Sequence, residues 1–137
     1  MGMPDRPGCA CCRQGDKPVE RLQWITQSGK DILIMDLSAC AIDEAMRVIA
    51  RAEPLIRTRP PLSLLILTDV TGSRYNAEWA NKVKVFARDN GPFVRASAVV
   101  GVKGMGQILI SAIETFSGRA IQSFDDRAEA IAWLATQ

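Results

Sequence analysis

The 137-residue sequence contains no histidine. Histidine is the usual general base near neutral pH and the commonest neutral metal ligand. Its absence excludes catalytic triads of the Ser-His-Asp or Cys-His type, and any other enzyme design would need an unusual base. We therefore expect a protein that is not an enzyme and that carries no metal and no cofactor.

The sequence also lacks long apolar runs and a strong excess of one charge. No stretch approaches the roughly 18–20 apolar residues that span a bilayer, and the N-terminus has no hydrophobic signal segment. With 17 basic and 15 acidic residues, the net charge of +2 is too small to indicate nucleic-acid binding. We expect a cytoplasmic protein with no integral membrane segment and no nucleic-acid partner.

Three of the four cysteines lie close together in the N-terminal stretch "PGCACCR". Cys9 and Cys12 form a C-x-x-C pair, but neither a second pair nor a histidine completes a zinc site. The pair also precedes any credible helix, whose N-terminus would lower a thiol pKa. An incidental reactive tail is favoured over transient metal or thiol chemistry, and we predict a mobile tail over residues 1–18 before a domain over 19–137.

Hydrophobic patterning divides that domain into alternating strands and helices. "VERLQWI" and "DILIMDL" are extended runs around a Ser-Gly turn and predict a hairpin. Residues 42–56 then have a helical apolar period, with Pro54 expected to kink or restart the helix. "LSLLILTDV" is typical of a parallel strand covered on both faces.

Two strands and three helices follow. Residues 76–90 predict a helix that ends at "NGP", where Asn or Gly adopts the left-handed conformation. "FVRASAVVGV" and "AIQSF" predict strands, and a capping box of Asp126 and Glu129 begins the last helix. A further helix is predicted between these two strands. The residues of its apolar stripe, which should face the core, are Ile108, Leu109, Ala112, Ile113 and Phe116.

The predicted order is therefore β-β-α-β-α-β-α-β-α. Such alternation indicates a single α/β domain with a mainly parallel sheet, whose first strand is antiparallel through the hairpin.

Polar residues follow the strands at the edge where α/β proteins usually bind ligands. The candidates are Asp36, Asp69, Thr71, Ser73, Arg74, Tyr75 and Lys103. Asp36 and Asp69 lie on neighbouring strands, where a pair of like charges would raise one pKa and suit acid-base chemistry. Loop-capping carboxylates explain the same pair and are the favoured interpretation.

The loop before the second helix also has two interpretations. Its hydroxyls, a helix N-terminus and Arg74 suit a phosphate or carboxylate. Helix capping by Ser73 or Asn76 explains these residues without a ligand and is favoured. "GVKGMGQI" lacks the Lys-Ser/Thr pair of a P-loop and has the wrong glycine spacing for a Rossmann motif, so it predicts a glycine-rich turn.

Five large side chains near these loops are more typical of core than of a pocket: Tyr75, Trp79, Phe93, Met105 and Ile108. If the helices after the third and fourth strands separate slightly, however, these side chains would line a tunnel for an acyl chain. Arg74 and Lys103 would then lie near its polar mouth.

Three segments together carry a family resemblance: "LILTDVTG", "NGPFVRASAVVGVKGMGQILISAIETFSGR" and "FDDRAEAIAWL". With them the chain resembles, over roughly residues 19–137, the SpoIIAA-like branch of the STAS domains, which are related in shape to CRAL-TRIO lipid-binding domains. The resemblance implies a non-enzymatic domain that binds a protein partner, a nucleotide or a small apolar ligand.

Anti-anti-sigma members of that group are switched by phosphorylation of a serine in an Asp-Ser-Ser/Thr-Gly motif. The equivalent loop here, "TGSRYNAE", has no Asp-Ser pair, and Ser73 and then Thr71 are the nearest hydroxyls.

The leading hypothesis is that the protein is a non-enzymatic regulatory or lipid-binding domain. It would hold a small apolar or anionic ligand, or a protein partner, at the strand-end face, with Thr71, Ser73, Arg74, Tyr75, Lys103 and Met105 as binding residues. The alternatives are an interaction module phosphorylated at Ser73 or Thr71, and an enzyme that uses Asp36 and Asp69. A homodimer is compatible with an uncovered edge strand or helix face.

Overall fold

The computed structural model describes residues 21–74, 76–103, 105–117 and 121–137, without the side chains of residues 105, 106, 109, 116 and 117. The predicted tail with Cys9, Cys11 and Cys12 lies outside the described residues. So do Tyr75 and the side chains of Met105, Leu109 and Phe116.

The described chain begins with the predicted hairpin. β1 (Leu22–Gln27) pairs antiparallel with β2 (Lys30–Asp36) in a register that sets Leu22 opposite Met35. Ser28 and Gly29 both have positive φ, +54° and +78°. A two-residue turn of this kind matches the twist of antiparallel strands, which explains the Ser-Gly pair.

Helices and strands alternate after the hairpin. The elements are α1 (Ile42–Ile56), β3 (Leu64–Asp69), α2 (Ala77–Asn90), β4 (Val94–Val100), α3 (Met105–Ser117), β5 (Ile121–Phe124) and α4 (Arg127–Ala135). The five strands form one sheet in the order β1-β2-β3-β4-β5, in which every pair after the first is parallel. The predicted order and fold class are confirmed.

Helices cover the sheet on both faces. Successive side chains of a strand point to opposite sides, so each strand contributes to both cores. Along β3, Leu64 and Ile66 pack with residues of α1, α2 and α3, a side that we call the three-helix face. Leu65 and Leu67 instead pack with Ala130 and Leu134 of α4 on the α4 face. The continuous apolar run of β3 is explained by this two-sided burial.

Two helix ends differ from the prediction. α1 runs through Pro54 to Ile56 as one element, so the helix does not restart there, and a kink at Pro54 stays a prediction. Ile56 has no exposed surface, and its burial holds the last turn in place. At the end of α2, Asn90 and Gly91 have φ of −99° and −53°, so neither is left-handed, and the chain passes directly into a 3₁₀ turn over Gly91–Phe93.

The inward face of α3 also differs. Ile110 and Ile113 are buried, whereas Ile108 is 68% exposed and Ala112 is exposed. The prediction that Ile108 and Ala112 face the core was therefore wrong. The apolar pattern of "ILISAI" fits two adjacent stripes, and the packing of α3 against the sheet selects the one that contains Ile110.

Candidate functional site

An apolar cavity of about 90 Å³ lies on the three-helix face, between the sheet and the helices. β3 and β4 supply its floor, and α2 and α3 supply most of its walls. Its apolar lining includes Ile66, Val70, Trp79, Val83, Phe86, Ala87, Val99, Val102, Ile110 and Ile113. Trp79 therefore belongs both to the predicted core and to a cavity wall.

The cavity extends to the strand-end edge that the sequence indicates. Val70 and Val102 both line it, and each stands directly before a predicted binding residue, Thr71 or Lys103. The polar candidates thus lie beside one end of an apolar space, between the helices that follow β3 and β4.

Four residues bring polar atoms to this lining: Thr68, Trp79, Asn90 and Ser97. Asn90 is only 1% exposed. Its Nδ2 donates to the Phe86 carbonyl oxygen at 2.9 Å and to Glu53 Oε2 at 3.2 Å. Its Oδ1 is buried and has no donor within the described part of the chain. A buried acceptor left without a donor costs about 1–3 kcal/mol.

The loop between β3 and α2 is held by its own hydrogen bonds. Thr71 donates from its backbone N–H at 3.0 Å and from Oγ1 at 2.7 Å to Asp69 Oδ1. The half-buried Ser73 donates from Oγ to the Val70 carbonyl oxygen at 2.9 Å. Asn76 Oδ1 accepts from the Trp79 N–H at 2.7 Å, so Asn76 rather than Ser73 caps α2.

The two cations predicted for this edge, Arg74 and Lys103, are exposed. Neither forms an ion pair with any residue described here. Their charges are therefore accessible to an anionic group that approaches the strand ends.

Gly101 brings the loops after β3 and β4 into contact. It has φ of +83°, and an added Cβ would lie 2.8 Å from Thr71 Cα and against Thr71 Oγ1. The predicted glycine-rich turn therefore needs Gly101 for both its backbone conformation and this close approach.

Asp36 and Asp69 are directly paired in the β2–β3 register, as predicted, but they lie on the α4 face. Arg127, the first residue of α4, lies 2.6 Å from Asp69 Oδ2 and 3.7 Å from Asp36 Oδ1. Arg21 approaches Asp36 Oδ1 at 3.9 Å and Glu44 Oε2 at 3.0 Å. Arginines therefore balance the two aspartates, whose side chains lie across the sheet from the cavity.

The expected rise in a carboxyl pKa is wrong for Asp69. Burial raises the pKa of Asp69, but hydrogen bonds from Thr71 and Arg127 outweigh it and lower the pKa below its usual value. A carboxyl group with a lowered pKa stays ionised at neutral pH and is a poor general base. The structural interpretation of the pair is therefore favoured over the enzymatic one.

We expect Asp69→Asn to lower the free energy of unfolding by about 1–3 kcal/mol at neutral pH, because it removes a hydrogen-bonded charge. The folded-state pKa of Asp69 is lowered, so its contribution is complete above the unfolded value of about 3.9 and is lost as the pH falls through the folded value. Urea unfolding at several pH values from neutral to acidic should show that the free energy of unfolding falls less with acid in this variant than in the wild type.

The control is Asp31→Asn, since Asp31 is 52% exposed and its ion pair with Arg59 spans 3.5 Å. It should change stability by less than about 1 kcal/mol. The same pH dependence of the free energy of unfolding in the wild type and in Asp69→Asn would contradict the account of this cluster.

Sequence reasoning missed Arg127, Arg21 and Asn90. A signal for Arg127 was present, because an arginine in the first turn of a helix opposes the helix dipole unless carboxylates neutralise it. Asn90 was interpreted as a helix terminator, and only its packing reveals the buried oxygen. Within the described ranges, no group of three or more acidic or cysteine side chains is placed to hold a metal ion.

Comparison with known proteins identifies a family. A family model described as SpoIIAA-like matches residues 35–135, which run from the end of β2 to the end of α4. No curated protein and no solved structure matches the chain. None of the helices described here combines the length with the hydropathy that a membrane span requires.

Proposed function

The chain belongs to the SpoIIAA-like family, and we propose that it is a binding module that holds a small apolar ligand in the cavity of its three-helix face. The family consists in general of non-enzymatic regulatory and binding domains. The observation that carries the proposal is the apolar cavity beside the strand ends, bounded by α2 and α3.

Size limits what this cavity can hold. Its volume of about 90 Å³ exceeds the space of a single water molecule. It is below the engineered cavity of about 150 Å³ that binds benzene, and well below the roughly 300–1,000 Å³ of typical ligand pockets. A ligand of a few non-hydrogen atoms is accommodated as the cavity stands, whereas a long acyl chain requires α2 and α3 to separate.

The rim supports a ligand with one polar or anionic end. Arg74 and Lys103 are exposed and unpaired within the described residues, and Thr71 and Lys103 directly follow two cavity-lining valines. An apolar body would lie between the helices while its polar end stays near these cations, an arrangement that avoids burying a charge.

The test is native mass spectrometry of the purified protein, with organic extraction and analysis of anything released. We expect a bound small molecule, or a ligand-free protein that takes one up from a mixture of small apolar compounds. A ligand-free mass under several growth conditions, together with no uptake from that mixture, would overturn the proposal.

A second candidate is a protein-interaction module that uses the same rim. It is favoured by Arg74 and Lys103, whose free charges suit an acidic partner, and its proposed modification sites are Ser73 and Thr71. Phosphorylation would have to break the bond from Ser73 to Val70 or from Thr71 to Asp69. Phosphosite mapping combined with pull-down of partners tests this candidate, which fails if neither is found.

A further inference from the structure

The buried Asn90 side chain carries information about the ligand. It lies on the last turn of α2, lines the cavity and is 1% exposed. Its Nδ2 is fixed by two acceptors, the Phe86 carbonyl oxygen and Glu53 Oε2. Rotating the amide by half a turn would place Oδ1 against both acceptors, so the orientation of the group is determined.

Oδ1 is consequently an acceptor with a fixed orientation and no donor among the described residues. We propose that Asn90 determines ligand specificity in this cavity by accepting a hydrogen bond from the ligand. This inference rests on the proposed function and adds to it the chemical class of the ligand.

The class is a small, mainly apolar molecule with one hydrogen-bond donor, such as an aliphatic alcohol. The Val83, Val94 and Ile110 side chains, which also line the cavity, favour an apolar body. A molecule of the same size that can only accept hydrogen bonds would leave Oδ1 unpaired.

The experiment compares 1-butanol with its isomer diethyl ether, since only the alcohol donates a hydrogen bond. Binding of each to the wild-type protein and to Asn90→Leu is measured by NMR titration of backbone amides around the cavity. The dissociation constant of 1-butanol, divided by that of diethyl ether, should be about five- to tenfold higher for Asn90→Leu than for the wild-type protein. Comparing ratios cancels the different hydration of the two isomers.

Thr115→Val is the control, because it removes a hydroxyl that lies outside the cavity lining and should leave the ratio unchanged. The Asn90 side-chain amide of the wild-type protein is a second readout that does not depend on the folding of Asn90→Leu. Its chemical shift should change more with 1-butanol than with the ether.

Binding of both isomers with the same ratio in wild type and Asn90→Leu would overturn this inference alone. That outcome is also the one expected if a water molecule satisfies Oδ1. Failure of both isomers to bind the wild-type protein would overturn the proposed function together with the inference.

Discussion

Replacing Gly101 with alanine is expected to lower the free energy of unfolding by about 2–5 kcal/mol. Two costs combine at this position. The backbone has φ of +83°, which is unfavourable for any residue with a side chain, and the new Cβ would lie 2.8 Å from Thr71 Cα. The contact involves backbone as well as a side chain, so it cannot be relieved by a change of rotamer.

Gly29→Ala separates the two costs. Gly29 has φ of +78°, similar to that of Gly101, but no atom lies within 4 Å of an added Cβ. Urea unfolding should therefore show a loss of only about 1–2 kcal/mol for Gly29→Ala. Equal losses in the two variants would mean that the close approach of Gly101 to Thr71 has no energetic importance.

Much of the fold was predictable because its signals are local. The Ser28-Gly29 turn, the apolar run of β3 and the Asp126 cap of α4 each depend on neighbouring residues in the chain. Where two local solutions compete, packing decides. α3 selects Ile110 over Ile108, and the buried Ile56 holds α1 together beyond Pro54.

The candidate site was predictable in position but not in detail. Strand ends were expected to gather Asp36, Asp69 and Thr71, and the register confirms the pairing of the two aspartates. Side-chain alternation, however, directs both carboxylates to the α4 face, where Arg127 meets them. A distant arginine and a buried amide such as Asn90 are brought in by tertiary packing, which no local pattern reports.

Filling the cavity should weaken ligand binding. Ala87 lies on α2, is 8% exposed and lines the cavity. Ala87→Leu adds three carbon atoms toward this space without introducing a poor helix former. We expect affinity for a small apolar probe such as 1-butanol to fall by more than about tenfold, because the ligand and the new side chain compete for one volume.

Ala80→Leu is the matched control, since it makes the same change on the same helix at a half-buried residue outside the cavity lining. Its affinity for 1-butanol should remain within about twofold of that of the wild type, given that surface changes are usually small. Circular dichroism of both variants establishes that they are folded. Unchanged affinity in Ala87→Leu would place the probe elsewhere on the protein.

The most direct test of an apolar ligand cavity between the sheet and α2–α3 is a crystal structure of the protein under xenon pressure. Xenon enters dry apolar cavities and reports their position without hydrogen bonding. The account predicts a xenon atom among Ile66, Trp79 and Ile110. A structure in which these side chains meet and xenon is absent from this face would contradict it.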